Sequence, residues 1–428
     1  MSKPTSAETT SGKSYVIPIM IIGALFFIFG FVTWLNGILI PYLKIACELS
    51  DFQAMLVTTF FYIPYFVMGL PSAALLKKTG FHKGMAVGLW VMALGTLIFI
   101  PAAMTRTYGL FLTGLFIMGT GLTILQTAVN PYITIIGPRE SAAQRISIMG
   151  ICNKLAGSIA PLILAYFIIK PGDDALIQGL KSLDATARLA QLDLLAARVI
   201  NPYIVMSAAL LLFGFAIKYA PLPEVEMESE EEVDTEKGEV TKTSIWQFPH
   251  LILGVITLFF YVGAEVISGD TIIRYGISLG IDLATAKVFT SYTLISMVLA
   301  YIIGIVSIPR FISQRSALQW SAILGMVFSI CAIFTSGMTS VFFIAILGFA
   351  NALVWPAIWP LAIHNLGRFL KTGSAIMIMA IMGGALLPPV WGKLADILGS
   401  AQKAYWILIP GYFMIFYYSI WGHKKKNW

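Results

Sequence analysis

Apolar residues along this 428-residue chain come in long runs rather than in periodic stripes. Breaks at charged residues and at Pro/Gly clusters divide the chain into twelve apolar segments. These lie near 15–42, 52–76, 84–104, 107–137, 146–169, 201–219, 249–274, 284–308, 317–337, 340–366, 372–395 and 402–421. A helix needs about 20 apolar residues to cross the hydrocarbon core of a bilayer, so the longer segments predict tilt or extension into the interfaces. The runs do not alternate with period two. A strand barrel is therefore excluded, and helices remain as the way to satisfy every backbone polar group in lipid.

Composition agrees with that pattern. The chain is 58% hydrophobic and 11% charged, with mean hydropathy +0.84, where a soluble domain carries about a quarter charged residues. The net charge of +7 is spread as loop punctuation, which argues against nucleic acid as a partner. Cys47, Cys152 and Cys331 stand far apart, so neither a disulfide framework nor a thiolate metal site is expected. The polar stub 1–14 runs straight into a long apolar segment, which does not read as a cleavable signal.

An even number of crossings puts both termini on one side. That side collects 17 of the 28 basic residues and the opposite side 10, four of them within 170–200, while Lys154 stands inside a segment. The asymmetry predicts cytoplasmic termini in a multi-pass membrane protein. The longest polar stretch on that side, 220–247, holds nine of the 21 acidic residues between Glu224 and Glu239 and reads as a solvated linker. The expected organisation is an N-terminal bundle 1–219, a linker 220–247 and a C-terminal bundle 248–428. The halves echo one another. Asn130-Pro131 and Trp359-Pro360 are each followed, after seven residues, by an arginine (Arg139, Arg368). Gly157 to Pro161 matches Gly384 to Pro388 in the next segment.

Several motifs then point to a family. Trp34-Leu35-Asn36-Gly37-Ile38-Leu39-Ile40-Pro41 resembles the first-helix signature of the fucose–galactose–glucose symporters of bacteria, a fucose permease-like group of the major facilitator superfamily. So do Gln126 to Pro131, Tyr261 to Ala264 with Ile273-Arg274-Tyr275, and Asn365-Leu366-Gly367. The resemblance runs from about residue 14 to 420, apart from the two large loops, and implies an all-α membrane fold of twelve transmembrane helices in two pseudo-symmetric six-helix bundles. It implies cation-coupled symport of a monosaccharide by alternating access, with no enzymatic activity and no cofactor beyond the coupling ion. The segment Ala73 to Lys83 resembles a degenerate superfamily loop signature, with Lys77 where an Asp is usual. Proton-coupled members of the group carry acids where this chain has Gly37 and Gln126, so their proton route cannot be carried over.

Intramembrane charges are costly and are usually functional. Here they are Lys154, Glu265 and Asp270. Lys154 is nine residues beyond Arg145, a rise of about 14 Å that sets it near the midplane. Asp270 and Arg274 are four apart and could pair on one helix, whereas Glu265 has no opposite charge at that spacing. A sugar asks for groups that donate and accept, plus an aromatic platform. Gln126 and Asn130 share a helix face and supply such amides. Asn36 and Asn351 add others, Asn153 stands where the resemblance implies a sugar ligand, and Trp355 offers a ring, with Trp34 and Tyr292 as lesser candidates. The carboxylates Glu265 and Asp270, with Lys154, are the coupling candidates, for a proton or for a sodium ion ligated at either acid. A lone Asn in a span also serves as interhelical glue.

The expected partners are a small sugar and the lipid bilayer, and the protein is expected to be a monomer. An exporter of apolar drugs would favour a Met- and Phe-lined cavity. A polytopic membrane enzyme would cluster His, Asp or Glu at one face, whereas His82, His250, His364 and His423 stand isolated.

Overall fold

The computed structural model describes residues 16–136, 142–223, 243–308, 310–366 and 369–428. The acidic stretch 224–239, the N-terminal stub and the loop arginines Arg139 and Arg368 lie outside the described residues.

The polarity of the molecule is inverted relative to a soluble protein. Large apolar side chains such as Tyr166, Leu212, Val306, Phe342 and Phe413 stand exposed, while Asn36, Lys154, Glu265, Asp270 and Asn351 are buried. That is the arrangement lipid demands, with polar groups turned to the bundle interior. Ten helices are long and apolar enough to cross a membrane, and the bent pair Phe52–Val67 and Gly69–Leu76 makes an eleventh span. A further helical stretch, Ala401–Ala404, Tyr405–Ile407 and Leu408–Ile420, completes twelve; its short 3-10 turn interrupts the α-helix.

The spans, in chain order, begin with Val16–Ala46, broken at Leu35, the bent pair, and Lys78–Met104. The fourth to sixth are Tyr108–Ile135, Ala142–Ile168 and Ile200–Lys218. The seventh is Pro249–Asp270 continued by Ile272–Ser278. Phe289–Ser307, Gln314–Phe334, Gly337–Ile363, Ala375–Leu398 and 401–420 follow. The second span bends by 50° between Val67 and Gly69, and Gly80, at φ 73°, turns the chain into the third span, which sequence patterning starts six residues later.

Glycines show how the two halves repeat. A Cβ on Gly119 of span four would lie 2.2 Å from the Phe61 carbonyl oxygen of span two; one on Gly348 of span ten would lie 2.1 Å from the Thr293 carbonyl of span eight. Spans one and five meet at Gly30 and the Asn153 carbonyl, and spans seven and eleven at Gly383 and the Phe259 carbonyl. Gly214 of span six takes the Trp90 ring of span three, as Gly325 of span nine takes Tyr412 of span twelve. Close backbone approach at small residues is how helices associate where lipid removes the hydrophobic driving force. The same pairs recur in both halves, as two pseudo-symmetric six-helix bundles require.

The polar stretch 170–200, read as a loop, contains the helices Asp173–Gly179 and Ala185–Ala197. Asp184 caps the second by accepting from the Ala187 amide at 2.8 Å. Arg198 clasps Asp173 through two bonds of 2.6 and 3.0 Å, and Arg106 holds Asp193 at 3.0 Å. This hairpin rests on the N-terminal half at the end of the molecule remote from the termini, here called the far side.

Candidate functional site

Between the halves lies a cavity of about 140 Å³, bordered by Gln126, Asn130, Asn153, Lys154, Glu265 and Trp355 among others. Each residue arrives for a local reason. Gln126 and Asn130 are one turn apart on span four. Asn153 and Lys154 sit on span five at the level where Gly30 lets span one press against it. Tyr261 and Glu265, one turn apart on span seven, face the same wall.

The centre of the wall is an ion pair across the halves. The Lys154 ammonium on span five stands 2.5 Å from Glu265 Oε1 on span seven, with both side chains 10% exposed. The same ammonium lies 4.5 Å from the centroid of the Trp34 ring on span one, a cation–π contact that is strengthened by desolvation. Gln126 donates from its amide to the Tyr65 hydroxyl. Trp34, Tyr62, Tyr261 and Trp355 give the cavity an aromatic surface, and Trp359 backs Trp355 with ring centroids 5.5 Å apart. Thr33 Oγ1 and Trp34 Nε1 are buried on the wall without a hydrogen-bond partner among the described residues.

The structure brings six of the nine sequence candidates to this cavity and leaves three away from it. Asn351 is fully buried inside the C-terminal half. Its amide donates to Ser268 Oγ at 3.3 Å and its oxygen accepts from the Tyr412 hydroxyl at 2.9 Å. It ties spans seven, ten and twelve together and does not border the cavity in this structure. Asn36, 1% exposed, begins the second segment of span one and is likewise set behind the wall. Asp270 is fully buried at the end of the long helix of span seven, and neither of its carboxylate oxygens has a hydrogen-bond partner among the described residues. The anticipated Asp270–Arg274 pair is not formed as a hydrogen bond; the Arg274 guanidinium lies 4.6 Å from the Trp391 ring centroid. Tyr292 is half exposed on the outer face. Sequence reasoning missed Tyr62, Tyr65 and Tyr301. The first two are three apart on span two, a same-face spacing that could have flagged them.

The cavity lies between two layers of contact. On the far side the halves are joined by hydrogen bonds: Thr59 Oγ1 donates to the Ala385 carbonyl at 2.7 Å, Ser291 Oγ to the Ser158 carbonyl at 2.5 Å, and the Phe52 amide to Asp396 at 3.2 Å. Gly37 presses on Thr290 in the same layer. Towards the termini they meet by packing, with Tyr301 over Gly150 and Met379 over Gly69.

Comparison with known proteins places these features. A family model described as Major Facilitator Superfamily matches residues 22–382. A glucose/galactose transporter of Brucella abortus is 34% identical over 427 residues, covering 99% of this chain and 98% of its own. The L-fucose-proton symporter of Escherichia coli is 28% identical, covering 93% and 91%. A crystal structure of the transporter FucP in the outward conformation superposes with a TM-score of 0.73 at 28% identity, over 95% of this chain and 99% of that one. An inward-facing bacterial homologue of the lysosomal transporter Spinster, at 15% identity and a TM-score of 0.65, shares the fold.

Proposed function

The chain belongs to the Major Facilitator Superfamily, and from that premise we propose that it is a cation-coupled symporter of a monosaccharide of the glucose, galactose or fucose class. The observation that carries this reading is the cavity itself, between the two halves, with the amides of Gln126, Asn130 and Asn153 and the rings of Trp34 and Trp355 around one ion pair. Its similarity to glucose/galactose and fucose transporters over nearly the whole chain supports the same class of solute.

Gln126, Asn130 and Asn153 would hydrogen-bond the sugar hydroxyls, and Trp355 would cover an apolar ring face. Lys154, Glu265 and Asp270 would serve coupling to a proton or sodium ion. The ion pair joins spans five and seven, which belong to opposite halves, so its making and breaking can be tied to their rocking. Residues 1–219 and 248–428 would be the two moving bundles, joined by a cytoplasmic linker 220–247. The protein would work as a monomer in a bacterial inner membrane, both termini in the cytoplasm, with no catalytic role and no cofactor besides the ion. Counterflow in proteoliposomes loaded with each sugar in turn tests the solute class. Labelled glucose, galactose or fucose should enter against unlabelled sugar of the same kind. Exchange of none of them by folded, reconstituted protein would refute the assignment.

A further inference from the structure

The two intramembrane carboxyls differ in one respect. Glu265 has its counter-charge in Lys154, 2.5 Å away. Asp270 is 0% exposed, and both of its oxygens lack a donor among the described residues. Burying an ionised carboxylate in that state is strongly unfavourable. Asp270 therefore calls for a positive species that the described residues do not provide.

Its surroundings are those of an ion site. Asp270 closes the helix Pro249–Asp270, where unpaired carbonyl character concentrates negative potential. The helix is interrupted there, at Thr271, and span one is interrupted at Leu35, next to Asn36. Interruptions at matching places in the two halves of a transporter mark where ions and solutes bind. The two breaks pack together: Gly269 lies against the Trp34 ring, and Thr290, which donates to the Gly269 carbonyl at 2.8 Å, lies against Gly37. Span two supplies the third wall. Gly384 touches both Tyr62 and Val266. Spans two and seven run antiparallel, so Thr58, one turn before Tyr62, falls level with Asp270, one turn after Val266. The Thr58 hydroxyl and the Asn36 amide nitrogen are both buried and have no hydrogen-bond partner among the described residues. This layer is continuous with the far-side hydrogen bonds at Thr59–Ala385 and Ser291–Ser158.

On the reading that the protein is a cation-coupled transporter, we propose that Asp270 carries the coupling cation and that filling it allows the far-side layer to close. The cation is either a proton on the carboxyl or a sodium ion held by the carboxylate with Thr58 Oγ1. The Lys154–Glu265 pair then serves as the link between halves beside the sugar. The ionisable groups around Asp270 are Glu265 and Arg274 on its own span, Tyr62 on span two and, through its bond to Thr271, Tyr405 on span twelve. None of them gives Asp270 a hydrogen bond.

The test reads the far-side gap without sugar. Spin labels are placed at Thr107 and Leu398, exposed far-side positions in opposite halves, in a background where Cys47, Cys152 and Cys331 are replaced. Distances are measured by pulsed electron paramagnetic resonance at alkaline pH without sodium, at acid pH without sodium, and at alkaline pH with sodium. The wild type should show the longer distance in the first buffer and the shorter in one of the other two, which identifies the cation. Asp270→Asn should give the shorter distance in all three. If that variant does not fold, Asp270→Ser is read the same way. If the acting cation is sodium, Thr58→Val should weaken its apparent affinity roughly tenfold. The proposal fails if the wild-type distance ignores both cations or if the neutral Asp270 variant still switches. Failure of sugar counterflow in a protein that still switches would instead refute the sugar assignment and leave the cation site standing.

Discussion

Gln126 and Asn351 are both intramembrane amides, yet the structure gives them opposite consequences when removed. Gln126 borders the cavity, so Gln126→Ala should lower sugar affinity by about twofold to tenfold, the equivalent of one neutral hydrogen bond worth about 0.5–1.5 kcal/mol. A binding titration measures it, with little change in melting temperature. Asn351→Ala should leave sugar affinity unchanged and destabilise the C-terminal half by about 1–3 kcal/mol, because the buried Tyr412 hydroxyl loses its acceptor. Thermal unfolding in detergent checks that. The sequence could suggest Gln126 with Asn130 because four-residue spacing puts both on one face. It could not separate Asn351 from them, since the partner that satisfies it comes from 61 residues away. Asp270 was legible as a rare charge, but not as one without a partner, because helix spacing alone allowed it Arg274. At the far-side end of span one, burial pushes the Cys47 thiol up to about 11. The thiolate is the reactive form, so labelling of Cys47 by a maleimide should be slow at neutral pH and accelerate as pH rises.

At the scale of helices, long apolar runs made the spans visible, and the positions of glycine were plain; the surfaces those glycines meet were not. Gly348 is the clearest case. Gly348→Ile would drive a side chain into the Thr293 carbonyl, 2.1 Å from where its Cβ would stand, and should sharply reduce the yield of folded protein. Gly37 should behave differently, because its neighbour Thr290 belongs to the opposite half. Gly37→Val should leave both bundles folded but hold the far side apart, so that an impermeant thiol reagent reaches a cysteine at Thr59 faster than in the parent protein. Equal rates would contradict the role given to this contact. The hairpin within 170–200 was hidden because its stretches are too short and polar to read as spans, and its anchoring pairs, Arg106–Asp193 and Arg198–Asp173, join residues distant along the chain.

For the whole molecule, the twofold repetition foreshadowed by two short sequence matches reappears as three pairs of equivalent glycine contacts. The Lys154–Glu265 pair was legible only as two charges in opposite halves; their approach to 2.5 Å depends on how those halves pack. Such a pair holds its charges at a desolvation cost, so removing one partner should destabilise by about 3–5 kcal/mol, whereas removing both should recover most of that loss. The central claim, that this packing moves sugar by means of a cation gradient, is tested most directly by uptake into proteoliposomes with pH and sodium gradients imposed separately. The account predicts accumulation of glucose, galactose or fucose above the external concentration under one of the two gradients, and its collapse when that gradient is dissipated. Uptake that only equilibrates the sugar under both gradients would contradict it.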